Sequence, residues 1–162
     1  MSQNESPTRL ELITNLQVES TAWQALLKML GEEERALIDG EADRLAQLTA
    51  SKLAQLQTLG DLSRTRHAQL LATGHTADHA GMAAWLTQHS QTEHLTRWRQ
   101  LCDMELQAQS MNQRIGTLID LRLASTRQAL NVLIHAATSQ RGLYDQAGQS
   151  VGDGNGKRII TA

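Results

Sequence analysis

The sequence predicts an all-α protein, an elongated antiparallel helical bundle or coiled coil of three long helices and one short helix, with a flexible carboxyl-terminal tail. The 162 residues include 40% hydrophobic but only 2% aromatic residues, with no Phe and a single Pro. A core of Leu, Ala, Met and Ile favours helices over sheets. Leucines also recur at spacings of three and four along most of the chain, which is the period of an amphipathic helix.

The first long helix is predicted from Thr8 to Ile38. Both Ser6-Pro7 and the pair Thr8 and Glu11 are typical of a helix start. One face then carries large apolar residues at three-, four- and seven-residue spacings: Leu12, Leu16, Trp23, Leu26, Leu30 and Leu37. Gly31 lies within this stripe and can introduce a bend or a break.

The second long helix is predicted from Glu41 to Thr73, after a turn at Asp39-Gly40. A connection this short makes the two helices antiparallel neighbours. The stripe of the second helix consists of Leu45, Leu48, Lys52, Leu56, Leu59 and Leu62. A short helix from Ala77 to His89 is expected to close one end of the bundle through Met82, Trp85 and Leu86.

The last helix is predicted from Thr92 to about Thr138. Its core series is Leu101, Met104, Ala108, Met111, Ile115 and Leu118. After Leu118 this stripe turns polar, and a second apolar edge begins, formed by Ile119, Leu123, Leu130, Leu133 and Ile134. A helix with two apolar faces can pack against two partners.

Glycines crowd the sequence from residue 139 onward, and no bundle helix is expected there. The predicted organisation is therefore a helical bundle domain over residues 1–138 and a flexible, glycine-rich tail over residues 139–162. The tail contains a tyrosine motif at Leu143-Tyr144.

Charge and hydropathy exclude several partners. The net charge is −2, and no run of Lys or Arg exceeds two residues, so nucleic-acid binding is not expected. The longest apolar stretch, Met82 to Leu86, is far short of the roughly 20 residues of a membrane span. Cys102 is the single cysteine, so no intramolecular disulfide can form. We expect a cytoplasmic protein that does not insert into a membrane.

The sequence predicts no catalytic residue, no metal and no cofactor. His75 and His79 are four residues apart, as in some metal sites, but the interpretation favoured is polar surface histidines. Cys102 is expected to be a half-buried packing residue, because no glycine-rich turn presents it as a nucleophile. The run Glu32-Glu33-Glu34 is interpreted as a solvated helix face.

The last third of the chain carries four motifs in a defined order. They are Asn112-Gln-Arg-Ile115-Gly116-Thr-Leu118-Ile119, Arg127-Gln-Ala-Leu130-Asn-Val-Leu133, Leu143-Tyr144-Asp-Gln-Ala-Gly148-Gln149 and Lys157-Arg158-Ile159-Ile160. In order and spacing, these motifs resemble those of the FlgN family of flagellar type III export chaperones.

This resemblance implies a cytoplasmic, non-enzymatic chaperone. Its cargo would be the carboxyl-terminal helices of the hook-filament junction proteins, hook-associated proteins 1 and 3, which it keeps from premature assembly. It would deliver them to the flagellar export gate, with the export ATPase complex as a further candidate partner.

The resemblance also assigns roles to residues. Those expected to bind cargo are Asn112, Ile115, Ile119, Leu123, Leu130, Leu133 and Ile134. Those expected to dock on the export gate are Tyr144, Leu143 and Gly148. The residues alone leave an alternative open, a helical adaptor or coiled-coil interaction protein unrelated to secretion. They do not predict the oligomeric state.

Overall fold

The computed structural model describes the backbone of residues 7–89 and 91–148, and the side chains of residues 9–89 and 91–139. This part of the chain is all-α, as predicted, and contains no strand. Its helices are α1 (Pro7–Asp39), α2 (Ala42–Ala72), α3 (His79–His89) and α4 (Thr92–Gly148). The chain divides into two compact units between Ile119 and Asp120. The first contains α1 to α3 and the beginning of α4, and the second contains the rest of α4.

The first two helices end in the same way, at a glycine with left-handed backbone geometry. Gly40 has φ 77° and Gly74 has φ 79°. After each glycine the backbone N–H donates to a carbonyl five residues earlier, from Glu41 to Ala36 at 2.9 Å and from His75 to Leu70 at 3.1 Å. Residues with a Cβ adopt this geometry at a cost, so glycine fixes both ends. The predicted turn at residues 39–40 is confirmed.

α1 and α2 run antiparallel, which the polar contacts between them show. Lys52 reaches Glu33 close to the turn, and Arg66 reaches Glu19 farther from it. The helices are thus in register over most of their length, as the short connection predicted.

One core cluster joins the beginning of α1, the end of α2, α3 and the beginning of α4. Its buried members are Leu12, Leu16, Leu70, Met82, Trp85, Leu86, Trp98 and Leu101. The three apolar residues predicted for the short helix all lie in this cluster, so the prediction that α3 closes one end of the α1–α2 hairpin is confirmed.

A second cluster lies farther along the first unit. Its buried members are Ala22, Leu26, Leu30, Leu37, Leu59, Ala108, Met111 and Ile115. The predicted stripes of α1 and α4 are therefore the core faces. Leu56 is the main exception in α2, because its side chain is 46% exposed.

α1 continues through Gly31 without a break, as the single helix predicted from Thr8 to Ile38. The end of the last helix differs from the sequence prediction. α4 runs past the predicted end at Thr138 as far as Gly148. Residues 149–162, most of the predicted tail, lie outside the described residues, so the division into bundle and tail stays a prediction. None of the described helices combines the length and the apolar character that crossing a membrane requires.

Candidate partner-binding surface

The described side chains of the second unit are all exposed. Four large aliphatic residues on this part of α4 lie on one side of the helix, because three of them are seven, three and four residues from the fourth, Leu130. We call this set the leucine face: Leu123, Leu130, Leu133 and Ile134, with exposed fractions of 50%, 54%, 66% and 51%. An exposed apolar surface of this kind is typical of a protein interaction site.

The remaining predicted cargo residues lie in the first unit, and the structure places them differently. Ile115 is only 2% exposed and belongs to the second core cluster, as its position in the α4 core series also indicated. Its side chain is therefore not available at the surface. Ile119, at the end of this unit, is 39% exposed. Asn112 is exposed and lines a groove.

This groove lies between α1, α2 and α4 and has a volume of about 380 Å³. Its lining consists of Trp23, Leu26, Leu30, Lys52, Leu56, Glu105, Ala108, Gln109 and Asn112. The α1 residues give it an apolar floor, whereas α4 supplies two amides and a carboxylate. Nε1 of Trp23 is buried without a hydrogen-bond partner.

The structure corrects the interpretation of the acidic run in α1 as a solvated face. Glu33 is only 3% exposed, and its carboxylate accepts hydrogen bonds from Nζ of Lys52 at 2.7 Å. Its neighbours pair with other elements, Glu32 with Arg44 and Glu34 with Arg114. The run therefore ties α1 to α2 and α4.

A buried ion pair between α1 and α2 was missed by the sequence reasoning. Glu19 and Arg66 are 1% and 2% exposed, and two hydrogen bonds join them. A signal was present, because Glu19 lies three residues after Leu16 and four before Trp23, on the core stripe of α1.

The histidines predicted to be polar surface groups contact polar side chains, some of them on other elements. Nε2 of His79 lies 2.9 Å from a carboxylate oxygen of Glu105, and His75 contacts Thr73 and Gln88. Among the residues that the structure describes, no three His, Cys, Asp or Glu side chains group closely enough to hold a metal ion.

Cys102 is half-buried, as predicted. Burial raises the pKa of its thiol to about 11, and the nearby negative charge of Glu105 acts in the same direction. A thiol with this pKa is almost fully protonated near neutral pH and is a poor nucleophile.

The residues predicted to dock on the export gate lie near the end of α4. The backbone of Leu143, Tyr144 and Gly148 is helical. The side chains of the first two lie outside the described residues, and their role stays a prediction.

Comparison with known proteins adds independent information. The sequence model of the FlgN protein family matches residues 8–152. The fold is similar to a crystal structure of a protein described as a flagella synthesis protein FlgN from Pseudomonas aeruginosa, with a TM-score of 0.62 and 29% sequence identity. That similarity covers 81% of this chain and 99% of the other. A search of curated proteins returned no match.

Proposed function

This chain belongs to the FlgN family, and on that premise we propose that it is a cytoplasmic flagellar export chaperone. Its proposed cargo is the carboxyl-terminal helices of hook-associated proteins 1 and 3. The chaperone keeps these helices from assembling early and delivers them to the type III export gate. The proposed activity is binding, without catalysis or a cofactor.

The observation that supports cargo binding most directly is the leucine face. Its four aliphatic side chains are each at least half exposed, and they repeat with the period of a helix. Amphipathic cargo helices can cover such a face in the manner of a coiled coil. Burying the exposed parts of these side chains contributes roughly 3 to 6 kcal/mol to the binding free energy, from which the cost of association must be subtracted. The moderate affinity that results suits a complex that must later release its cargo.

The polar residues around the leucine face supply a matched control. Asn131 follows Leu130 directly but points about 100° away around the helix. Both side chains are exposed, so a charge at either position leaves the described packing unchanged. Only the charge at position 130 would lie inside the proposed interface.

A titration of the purified chain with the carboxyl-terminal helical segment of hook-associated protein 1 tests the proposal. The parent chain and N131D should bind saturably with one-to-one stoichiometry, and L130D should bind at least about tenfold more weakly. If the parent chain binds neither this segment nor that of hook-associated protein 3, the cargo assignment fails. A helical adaptor unrelated to secretion then becomes the better interpretation.

We also propose that the end of the chain acts in delivery and not in cargo binding. Leu143, Tyr144 and Gly148, in the last turns of α4, are the proposed contacts to the export gate. The variant Y144A should keep parental helicity and cargo affinity while blocking cargo export. Loss of cargo binding by Y144A would contradict this division of roles.

A further inference from the structure

The second unit exposes more apolar surface than the leucine face. Between residues 123 and 137, α4 contains one arginine and no lysine, aspartate or glutamate. At about 100° per residue, the polar side chains of Arg127, Gln128, Asn131 and His135 fall in one strip roughly 100° wide. Apart from Ala124, the other residues of this segment fall in the remaining arc and are aliphatic, Ser or Thr.

The leucine face occupies one end of this apolar arc, and a second face occupies the other end. We call it the alanine face: Leu121, Ala129, Val132 and Ala136. Leu121 and Val132 are both 62% exposed, and the small side chains leave a shallow hollow beside Val132, lined also by Ser125, Gln128 and Leu133. Val132 points roughly 160° away from Leu130.

The width of the apolar arc sets the number of helices needed to cover it. A helix that packs on one partner as in a coiled coil buries a seam narrower than the stripe of about 100° or more that faces a whole protein core. One partner helix on the leucine face would therefore reach only the Leu133 side of the hollow and would leave Val132 in water. Helical spacing on the alanine face, three residues from Ala129 to Val132 and four from Val132 to Ala136, fits the side-chain ridges of a second helix.

We propose that the second unit binds two amphipathic helices of one cargo chain, one on the leucine face and one on the alanine face. This inference rests on the proposed chaperone function and specifies what the cargo must supply. The hollow beside Val132 accepts a large apolar side chain from the second helix, in the way that knobs fill holes between packed helices.

A second copy of this chain fits the arc less well. Two copies related by a two-fold axis contact each other through the same patch. Pairing through the leucine faces would leave both alanine faces exposed, and the reverse pairing would leave both leucine faces exposed. A cargo chain with two helices covers both faces at once.

Cysteine protection in the full chain tests the proposal. L130C, V132C and N131C place a thiol on the leucine face, the alanine face and the polar strip. Native Cys102 stays in place, because its pKa of about 11 makes it react slowly. Alkylation is followed with and without a saturating amount of the carboxyl-terminal helical segment of hook-associated protein 1. We expect alkylation to slow at least about tenfold in L130C and V132C and less than about twofold in N131C.

Other outcomes separate the two proposals. Protection of L130C alone would show that one helix binds, which overturns the two-helix inference and leaves the chaperone function standing. Absence of both protection and binding would overturn the chaperone function itself. Protection that grows with chain concentration in the absence of cargo would show self-association, and the two-helix inference would fail.

Discussion

Arg66 of α2 lies in the core with its guanidinium paired to the carboxylate of Glu19 on α1. Nε of Arg66 donates to Oε2 of Glu19 at 2.8 Å, and Nη2 donates to Oε1 at 3.1 Å. The guanidinium carbon also lies 4.8 Å from the centre of the Trp98 ring on α4. One buried group thus joins three helices. Burial of the two charges costs desolvation energy, and their attraction to each other offsets that cost. If one partner is removed, the other is left as an uncompensated buried charge, which lowers the stability of the fold.

Removing one partner of this pair should cost more than removing both. E19L leaves the Arg66 guanidinium buried without its counter-charge, so the free energy of unfolding should fall by about 3 to 5 kcal/mol. The double variant E19L/R66M should lie within about 1.5 kcal/mol of the parent, because it buries no unpaired charge. Denaturant unfolding of the parent, both single variants and the double variant measures the coupling. Additive losses would contradict this account.

Gly81, in the first turn of α3, should not tolerate a side chain. A Cβ at this position would overlap the backbone carbonyl oxygen of Thr76. Thr76 cannot easily move away, because its hydroxyl donates to Asp78 at 2.8 Å, and the same carboxylate oxygen accepts from the Gly81 N–H at 2.7 Å. G81A should therefore lower the free energy of unfolding by about 1 to 3 kcal/mol.

Gly60 supplies the matched control for that substitution. It also lies inside a helix, α2, but a Cβ there would meet no atom within 4 Å. G60A should raise the free energy of unfolding by about 0.4 to 1 kcal/mol, because alanine restricts the unfolded chain and favours helix. Equal effects of G60A and G81A in thermal unfolding would show that the Thr76 contact does not matter.

The capping carboxylate of Asp78 should make stability depend on pH in acid. The hydrogen bond from the Gly81 N–H and that from the Thr76 hydroxyl hold the pKa of Asp78 below its ordinary value of 3.8. The folded state therefore binds this proton less readily than the unfolded state. The ionised carboxylate therefore stabilises the folded state fully above the pKa that Asp78 has in the unfolded chain. This stabilisation is lost as the pH falls through the lower pKa that Asp78 has in the folded chain.

D78N tests this dependence, because asparagine can still cap the helix but does not titrate. The stability of the parent relative to D78N should be constant near neutrality and should decrease as the pH falls below about 4. Urea unfolding of both chains at a series of pH values measures it. If the difference in unfolding free energy between the parent and D78N stays constant down to about pH 2, the negative charge of Asp78 does not contribute to stability.

The helices were predictable because their signals are local. The turn at Gly40 and the three- and four-residue spacing placed α1 and α2 within a few residues of their observed ends. The end of α4 was predicted too early, because glycines such as Gly142 weigh against a helix in sequence yet cost only about 1 kcal/mol each within one.

The candidate surface was only partly predictable. The exposed edge at Leu123 and Leu130 followed from spacing alone, whereas Ile115, assigned to the cargo site by resemblance, lies in the core. The contacts of Glu19 and Glu33 depend on residues many positions away, and charged residues are expected to be exposed unless a partner is known. The clash at Gly81 depends on the path of the loop before α3, which no local pattern specifies.

Cys102 should react with alkylating reagents far more slowly in the folded chain than after unfolding. Burial raises its pKa from 9.0 to about 11, and Glu105 adds to this shift. Because the thiolate is the reactive form, its population near pH 8 should fall about a hundredfold on folding. The rate of iodoacetamide reaction, measured from pH 7 to 10 in native buffer and in denaturant, checks this. In the folded chain the rate should rise about tenfold per pH unit across the whole range, whereas in denaturant it should level off near pH 9. A plateau at the same pH in both states would show that the site does not disfavour the thiolate.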